Sequence, residues 1–134
     1  MGNVSSELTN VPNFISYETI QNINDKSILI NTLTEEEQSC LIEKTLIITD
    51  EVAKMTNLID THNYDKIYIY GRNNMDRAVI KKYNQLVTLG LKNVYIYGGG
   101  LFEWLLLQDI YGDEMFPTTS KELDILKYRP KSNC

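Results

Sequence analysis

Residues 68–80, YIYGRNNMDRAVI, place two arginines and an aspartate in the connection between an apolar strand and a helix. Gly71 stands where the strand ends. Arg72 opens the turn, Arg77 closes it, and Asn73, Asn74, Met75 and Asp76 lie between. A helix beginning near Arg77 aims its free amides, and the positive end of its dipole, back at that turn. Gly71 lets the backbone bend without a Cβ clash. With two guanidinium groups added, residues 71–77 have the parts of an anion cradle. They include no cysteine, serine or histidine, so a nucleophile or a base is missing. Asp76 works against an anion: directly ahead of Arg77, it is placed to N-cap the helix. Its carboxylate would then occupy the place of a bound phosphate and repel one.

Chemistry elsewhere is scarce. The chain has one histidine, His62, ahead of a strand, where it reads as a solvated loop residue. It has two cysteines, Cys40 and Cys134, which make neither a disulfide framework nor, with one histidine, a zinc set. No spacing argument brings either thiol into the 71–77 turn. No metal and no cofactor is expected.

Composition narrows the class. The 134 residues suffice for one domain with one core, and 43% hydrophobic with 23% charged residues is ordinary for a globular chain. A net charge of −5 argues against general nucleic-acid binding and against electrostatic attachment to anionic lipid. No apolar run approaches the roughly 18 residues of a membrane span, and the polar N-terminus lacks the apolar stretch of a secretory signal. A cytoplasmic location follows as the expectation. The abundance of Asn, Ile, Lys and Tyr reflects coding in an AT-rich genome, not mechanism.

Several elements must hold the turn in place. Residues 1–13 are polar and patternless and read as a flexible arm, 14–130 as the domain, and 131–134 as a tail. Ser16 can cap a short helix from Tyr17 to about Ile23. SILINTL (27–33) and TLIITD (45–50) read as strands, as do KIYIYG (66–71) and NVYIYGG (93–99). Thr34 and Glu37 have capping-box spacing. Val52, Met55 and Ile59 form a helical stripe over 50–61, and Val79, Tyr83, Leu86 and Val87 form another over 77–89 with Gly90 as its stop. LFEWLLLQDIYG (101–112) is a strongly apolar helix ending at Gly112. A last short helix is expected within 118–130, with Thr119 and Glu122 as a second capping box. Alternating strands and helices, with strands apolar on both faces, specify an α/β domain: a parallel sheet covered by helices on both sides. Sites in such sheets form at the carboxyl ends of strands, where the 71–77 turn lies.

The stretch from Tyr68 to Trp104 resembles the second half of a rhodanese-like domain. That family has an apolar strand, a cysteine opening a short loop, an arginine closing it, and a helix. A Gly-(Phe/Leu)-x-x-Val segment, a strand and a Gly-Gly pair with a nearby Trp follow. Here Gly90-Leu91-Lys92-Asn93-Val94, Gly98-Gly99-Gly100 and Trp104 supply these parts. The segment ISYETIQNINDKSILINTLTEEE resembles the family's first half more loosely. The resemblance spans roughly 14–128. It implies a rhodanese-like three-layer domain with four or five parallel strands and Trp104 inside.

The departures bear on activity. Gly71 stands where the resemblance places the nucleophilic cysteine, and both the sulfur-transfer and the phosphatase routes of the family need that thiolate. Asn31 and Leu33 stand where family members read Asp-x-Arg. The five residues from Arg72 to Asp76 match the loop of the dual-specificity phosphatases of this fold and exceed that of its sulfurtransferases by one.

The expected function is therefore a catalytically inactive binding or regulatory module, a pseudoenzyme. It would read a phosphate-like anion or an unidentified protein partner through Gly71, Arg72, Asn73, Asn74, Met75, Asp76 and Arg77, with Arg72 and Arg77 as donors. The alternative is a sulfurtransferase or phosphatase with an unidentified nucleophile. Lys81 and Lys82 offer a basic spot beside the arginines. MGNVSS fits an N-myristoylation pattern at Gly2. With no second signal in view, one acyl chain would give at most weak membrane association.

Overall fold

A computed structural model of the chain describes residues 11–63 and 65–132. Four strands, β1 (Phe14–Ile15), β2 (Ile28–Asn31), β3 (Ile67–Tyr70) and β4 (Val94–Tyr97), form one sheet in the order β1-β4-β3-β2. Every pairing is parallel: Ile28 lies opposite Ile67, Ile67 opposite Val94, and Phe14 opposite Ile96. The helices are α1 (Tyr17–Gln21), α2 (Ile48–Asp60), α3 (Arg77–Thr88) and α4 (Gly100–Tyr111), with 3-10 turns at Glu35–Glu37 and Ile125–Tyr128.

The period-two alternation of the strands splits the core into two layers. Ile28, Ile30, Ile67, Ile69, Val94 and Ile96 face α2 and α3, where Met55, Leu58, Val79, Tyr83 and Leu86 meet them. Leu29, Tyr68, Tyr70 and Tyr97 face the other way, against Ile20 of α1 and Leu101, Trp104 and Leu105 of α4. Trp104 is fully buried, with Phe116 and Tyr97 edge-on to it, and its indole N–H donates to the Pro117 carbonyl at 3.1 Å. This is the expected three-layer α/β domain, and LFEWLLLQ lies mostly in its core.

Four expectations are corrected. TLIITD is not a strand. Only Thr45 bridges to the sheet, at Leu29, and the helix has already begun at Ile48, with Asp50 and Glu51 in its first turn. The α2 stripe is Met55 and Leu58, with Glu51 alongside, while Val52 is 77% exposed. Ser16 sits at the N-cap of α1 but its hydroxyl makes no capping bond, and the helix stops at Gln21. The second capping box does not form. The Thr119 hydroxyl accepts from the Leu41 amide and donates to the Ser39 carbonyl, and a 3-10 turn at Ile125–Tyr128 replaces the last helix. The first capping box does form, on the 3-10 turn after β2: Glu37 Oε1 accepts from the Thr34 amide at 3.1 Å. The arm and Gly2 lie outside the described residues, apart from residues 11–13, which are irregular.

Candidate functional site

β3 delivers Gly71 at the carboxyl edge of the sheet, and α3 begins six residues later at Arg77. Asp76 is the N-cap of α3, as its position implied, and Oδ1 accepts from the Ala78 amide at 3.0 Å. Its other oxygen turns back over the loop. Oδ2 accepts from the Arg72 amide at 3.0 Å and from the Thr32 hydroxyl at 3.4 Å. A Cβ built on Gly71 would collide with that same Oδ2, and would lie 2.6 Å from Val79 Cγ2 and 2.8 Å from Thr32 Oγ1. The carboxylate therefore fills the volume into which a side chain at position 71 would project.

The rest of the loop is also engaged with itself. The Met75 amide donates to Asn73 Oδ1 at 2.8 Å, and the Asp76 amide to the Asn73 carbonyl at 3.3 Å. From behind, the first amides of α4 hold the loop carbonyls: Leu101 N–H donates to Gly71 O at 2.9 Å and Phe102 N–H to Arg72 O at 2.8 Å. This approach depends on Gly100, whose φ is +68°. A Cβ there would lie 2.8 Å from Asn73 N and from Gly71 O.

Arg72 does not serve as a donor into the turn. Its guanidinium forms an ion pair with Glu37, donates through Nη2 to the Lys127 carbonyl at 2.7 Å, and lies 5.5 Å from the centre of the Tyr128 ring. Glu37 thus divides its carboxylate between the capping box and the loop arginine. Asn73, nearly buried, donates its amide to the Tyr128 carbonyl at 2.8 Å. Together Arg72 and Asn73 clasp the C-terminal segment across the loop.

Arg77 is different. It is exposed at the start of α3, and its side chain makes no hydrogen bond or ion pair with the described residues. A cavity of about 270 Å³ opens beside it, lined also by Met75, Asp76, Arg129 and Lys131. Of the two lysines expected beside the arginines, Lys82 is paired with Glu51 of α2, while Lys81 is exposed one turn after Arg77; Arg129 and Lys131 come to the cleft from the C-terminal segment. Sequence reading missed Arg129 and Lys131 because they lie more than fifty residues beyond the loop.

The family-edge positions have become structural. Asn31 is buried and exchanges amide hydrogen bonds with Gln38, at 2.7 and 3.2 Å, while Leu33 is in the core. Cys40 is buried among core side chains, its thiol donates to the Ser120 carbonyl at 3.5 Å, and burial raises its pKa. A buried thiol held protonated is a poor nucleophile. Cys134 lies outside the described residues. His62 is exposed in the turn after α2, at φ +53°. Among the described residues no group of His, Cys, Asp or Glu converges to hold a metal, and no helix is long and apolar enough to cross a membrane.

The sequence matches the model of the Rhodanese-like domain over residues 16–107. The structure is similar to the crystal structure of a single-domain sulfurtransferase from Saccharomyces cerevisiae, with a TM-score of 0.52 and 15% identity over 80% of this chain and 97% of that one. At that identity the likeness is one of fold. No curated protein matches the sequence.

Proposed function

The chain belongs to the rhodanese-like domain family, and we propose that it is a member that binds and does not turn over substrate: a catalytically inactive module acting through a partner. The observation that carries this reading is the Asp76 carboxylate seated over Gly71. By resemblance, position 71 is where the family's nucleophilic cysteine would stand. Glycine supplies no nucleophile, and the adjoining space, where a reacting anion would sit, holds an intramolecular carboxylate instead. That carboxylate accepts from two of the amides nearest the helix start, Arg72 and Ala78, which would otherwise serve an external anion. The clasped C-terminal segment restricts the loop further.

The reading moves the ligand out of the loop centre. A phosphate-like group bound between Arg72 and Arg77 would displace Asp76 and break the Arg72–Glu37 pair. A partner contacting the loop's outer flank would do neither. The competing reading, a sulfurtransferase or phosphatase with another nucleophile, would need Cys40 or a residue such as Cys134. Cys40 is disfavoured by its burial.

The test is turnover. Thiosulfate with cyanide, and an aryl phosphate, are offered to the full chain and to Cys40→Ser. The expected result is no rate above buffer for either protein. Any wild-type rate above buffer would overturn the binding reading in favour of an enzyme, and its loss in Cys40→Ser would identify the nucleophile.

A further inference from the structure

The inactive-module reading leaves open which surface meets the partner and what chemistry that partner carries. The geometry points to the cleft between the start of α3 and the C-terminal segment as a binding site for a phosphorylated side chain on a partner peptide. The inference deepens the binding reading above and rests on it.

Besides Arg72, which is held by Glu37, three cationic side chains from two distant segments line this cleft: Arg77 from α3, and Arg129 and Lys131 from the C-terminal segment. They do so in a protein with 18 acidic and 13 basic residues, so the local charge runs against the whole. None of the three is paired with a carboxylate of the described residues. Arg129 spends one nitrogen on the Leu126 carbonyl at 2.8 Å, which fixes its guanidinium at the rim. The one acid lining the cleft is Asp76, and its oxygens already accept from Arg72 N, Thr32 Oγ1 and Ala78 N. Those donors offset part of its charge at the cleft.

The ligand class follows from charge and size. A phosphomonoester carries about −1.5 to −2 charges and three strong acceptor oxygens, which match three cationic donors. A carboxylate can satisfy one guanidinium bidentately and leaves the other two cations unanswered. The cleft, about 270 Å³, has room for one phosphorylated side chain. One apolar side chain, Met75, 52% exposed, lines the cleft beside the cations. Free phosphate has no use for it, whereas an apolar residue next to a phosphorylated one does.

The test is a titration of isotope-labelled full chain, followed by amide chemical shifts. Three peptides of otherwise alanine and glycine sequence, with leucine on both sides of the central position, carry phosphoserine, serine or glutamate there, and inorganic phosphate is the fourth probe. The expected result is that the phosphoserine peptide moves the amides of Arg77, Arg129 and Lys131. The serine peptide moves nothing, and glutamate binds about tenfold more weakly. Arg77→Gln and Arg129→Gln should each weaken the phosphopeptide about tenfold while spectral dispersion is kept. If either variant fails to fold, Lys131→Gln replaces it. Shifts that are absent from the cleft, or that survive these variants, would overturn the assignment. So would inorganic phosphate binding as tightly as the phosphopeptide, because the flanking residues would then contribute nothing. The same samples are assayed with thiosulfate and aryl phosphate. Turnover would overturn the non-catalytic reading without touching the cleft, whereas missing shifts with no turnover would overturn the cleft alone.

Discussion

Asp76 Oδ2 stands over the Cα of Gly71, in the space that any side chain at position 71 would need. The two positions are thus coupled: the aspartate can occupy its place because its neighbour is glycine. Gly71→Cys should cost about 1–3 kcal/mol of stability by overpacking, and should not by itself confer sulfur transfer. Asp76→Ala should cost about 1 kcal/mol through the lost cap. The double variant should be more stable than the sum of the two by about 1 kcal/mol, since removing the carboxylate makes room for the thiol. Urea unfolding of the four proteins checks this, and strict additivity would break the proposed coupling.

Removing the internal carboxylate should also reopen the cradle. Asp76→Ala should show a larger rise in Tm with millimolar sulfate or tungstate than wild type, because an external anion can then take the freed Arg72 and Ala78 amides and stabilise the native state by mass action. Equal shifts in both proteins would mean that the loop interior binds no anion even when emptied.

Arg72→Ala should destabilise by about 1–3 kcal/mol, more than an exposed ion pair would, because it leaves Glu37 with only 10% of its side chain exposed and without its cation. Glu37→Gln should cost less, since an amide oxygen can still serve the Thr34 cap. Hydrogen exchange over residues 125–129 should accelerate in Arg72→Ala, because the Lys127 carbonyl loses its donor.

Gly100→Ala should be the most damaging of these small changes, at about 3 kcal/mol or more. Its φ of +68° is unfavourable for alanine, and the added methyl would meet backbone atoms of Asn73, Gly71 and Arg72, which cannot rotate away. A variant protein with unchanged Tm would show that the close approach of α4 to the loop is dispensable.

Alkali should unfold the protein from about pH 10 upward. Burial raises the pKa of Tyr70 and Tyr97, and for Tyr97 the hydrogen bond its hydroxyl donates to Glu103 Oε1, at 2.6 Å, raises it further. Above the ordinary tyrosine pKa the unfolded chain loses protons that the native state keeps, so stability falls as pH rises. Absorbance titration should show these phenols ionising together with unfolding, and Tyr97→Phe should flatten the decline. Stability that is level through pH 11 would contradict this.

The parts of the fold that sequence made legible are those written in local periodicity. The short apolar runs IYIY and VYIY, the stripe through Val79, Tyr83 and Leu86, and Gly90 at φ +100° each carry their own signal over a few residues. TLIITD misled because a short apolar run is ambiguous between strand and helix start, and the informative residues were the acids that followed. β1, with two residues, is too short for any pattern. At the site, the Asp76 cap was legible because it depends on one neighbour. The engagement of Arg72 was not, because Glu37 is thirty-five residues away and Lys127 fifty-five. Thr119 had the spacing of a cap, but tertiary partners at Leu41 and Ser39 took its hydroxyl.

The clasp on the C-terminal segment has a consequence for biosynthesis. β1 can pair only with β4, more than eighty residues later, and the loop at 71–77 meets its last partners only at Lys127 and Tyr128. Contacts of such long sequence separation form slowly, because chain closure precedes their reward. A nascent chain will therefore carry an unpaired β1 until β4 has emerged, and an unclasped Arg72 until Lys127 and Tyr128 have followed. During that interval the loop is open to solvent, and to chaperones, in a way the finished molecule never is.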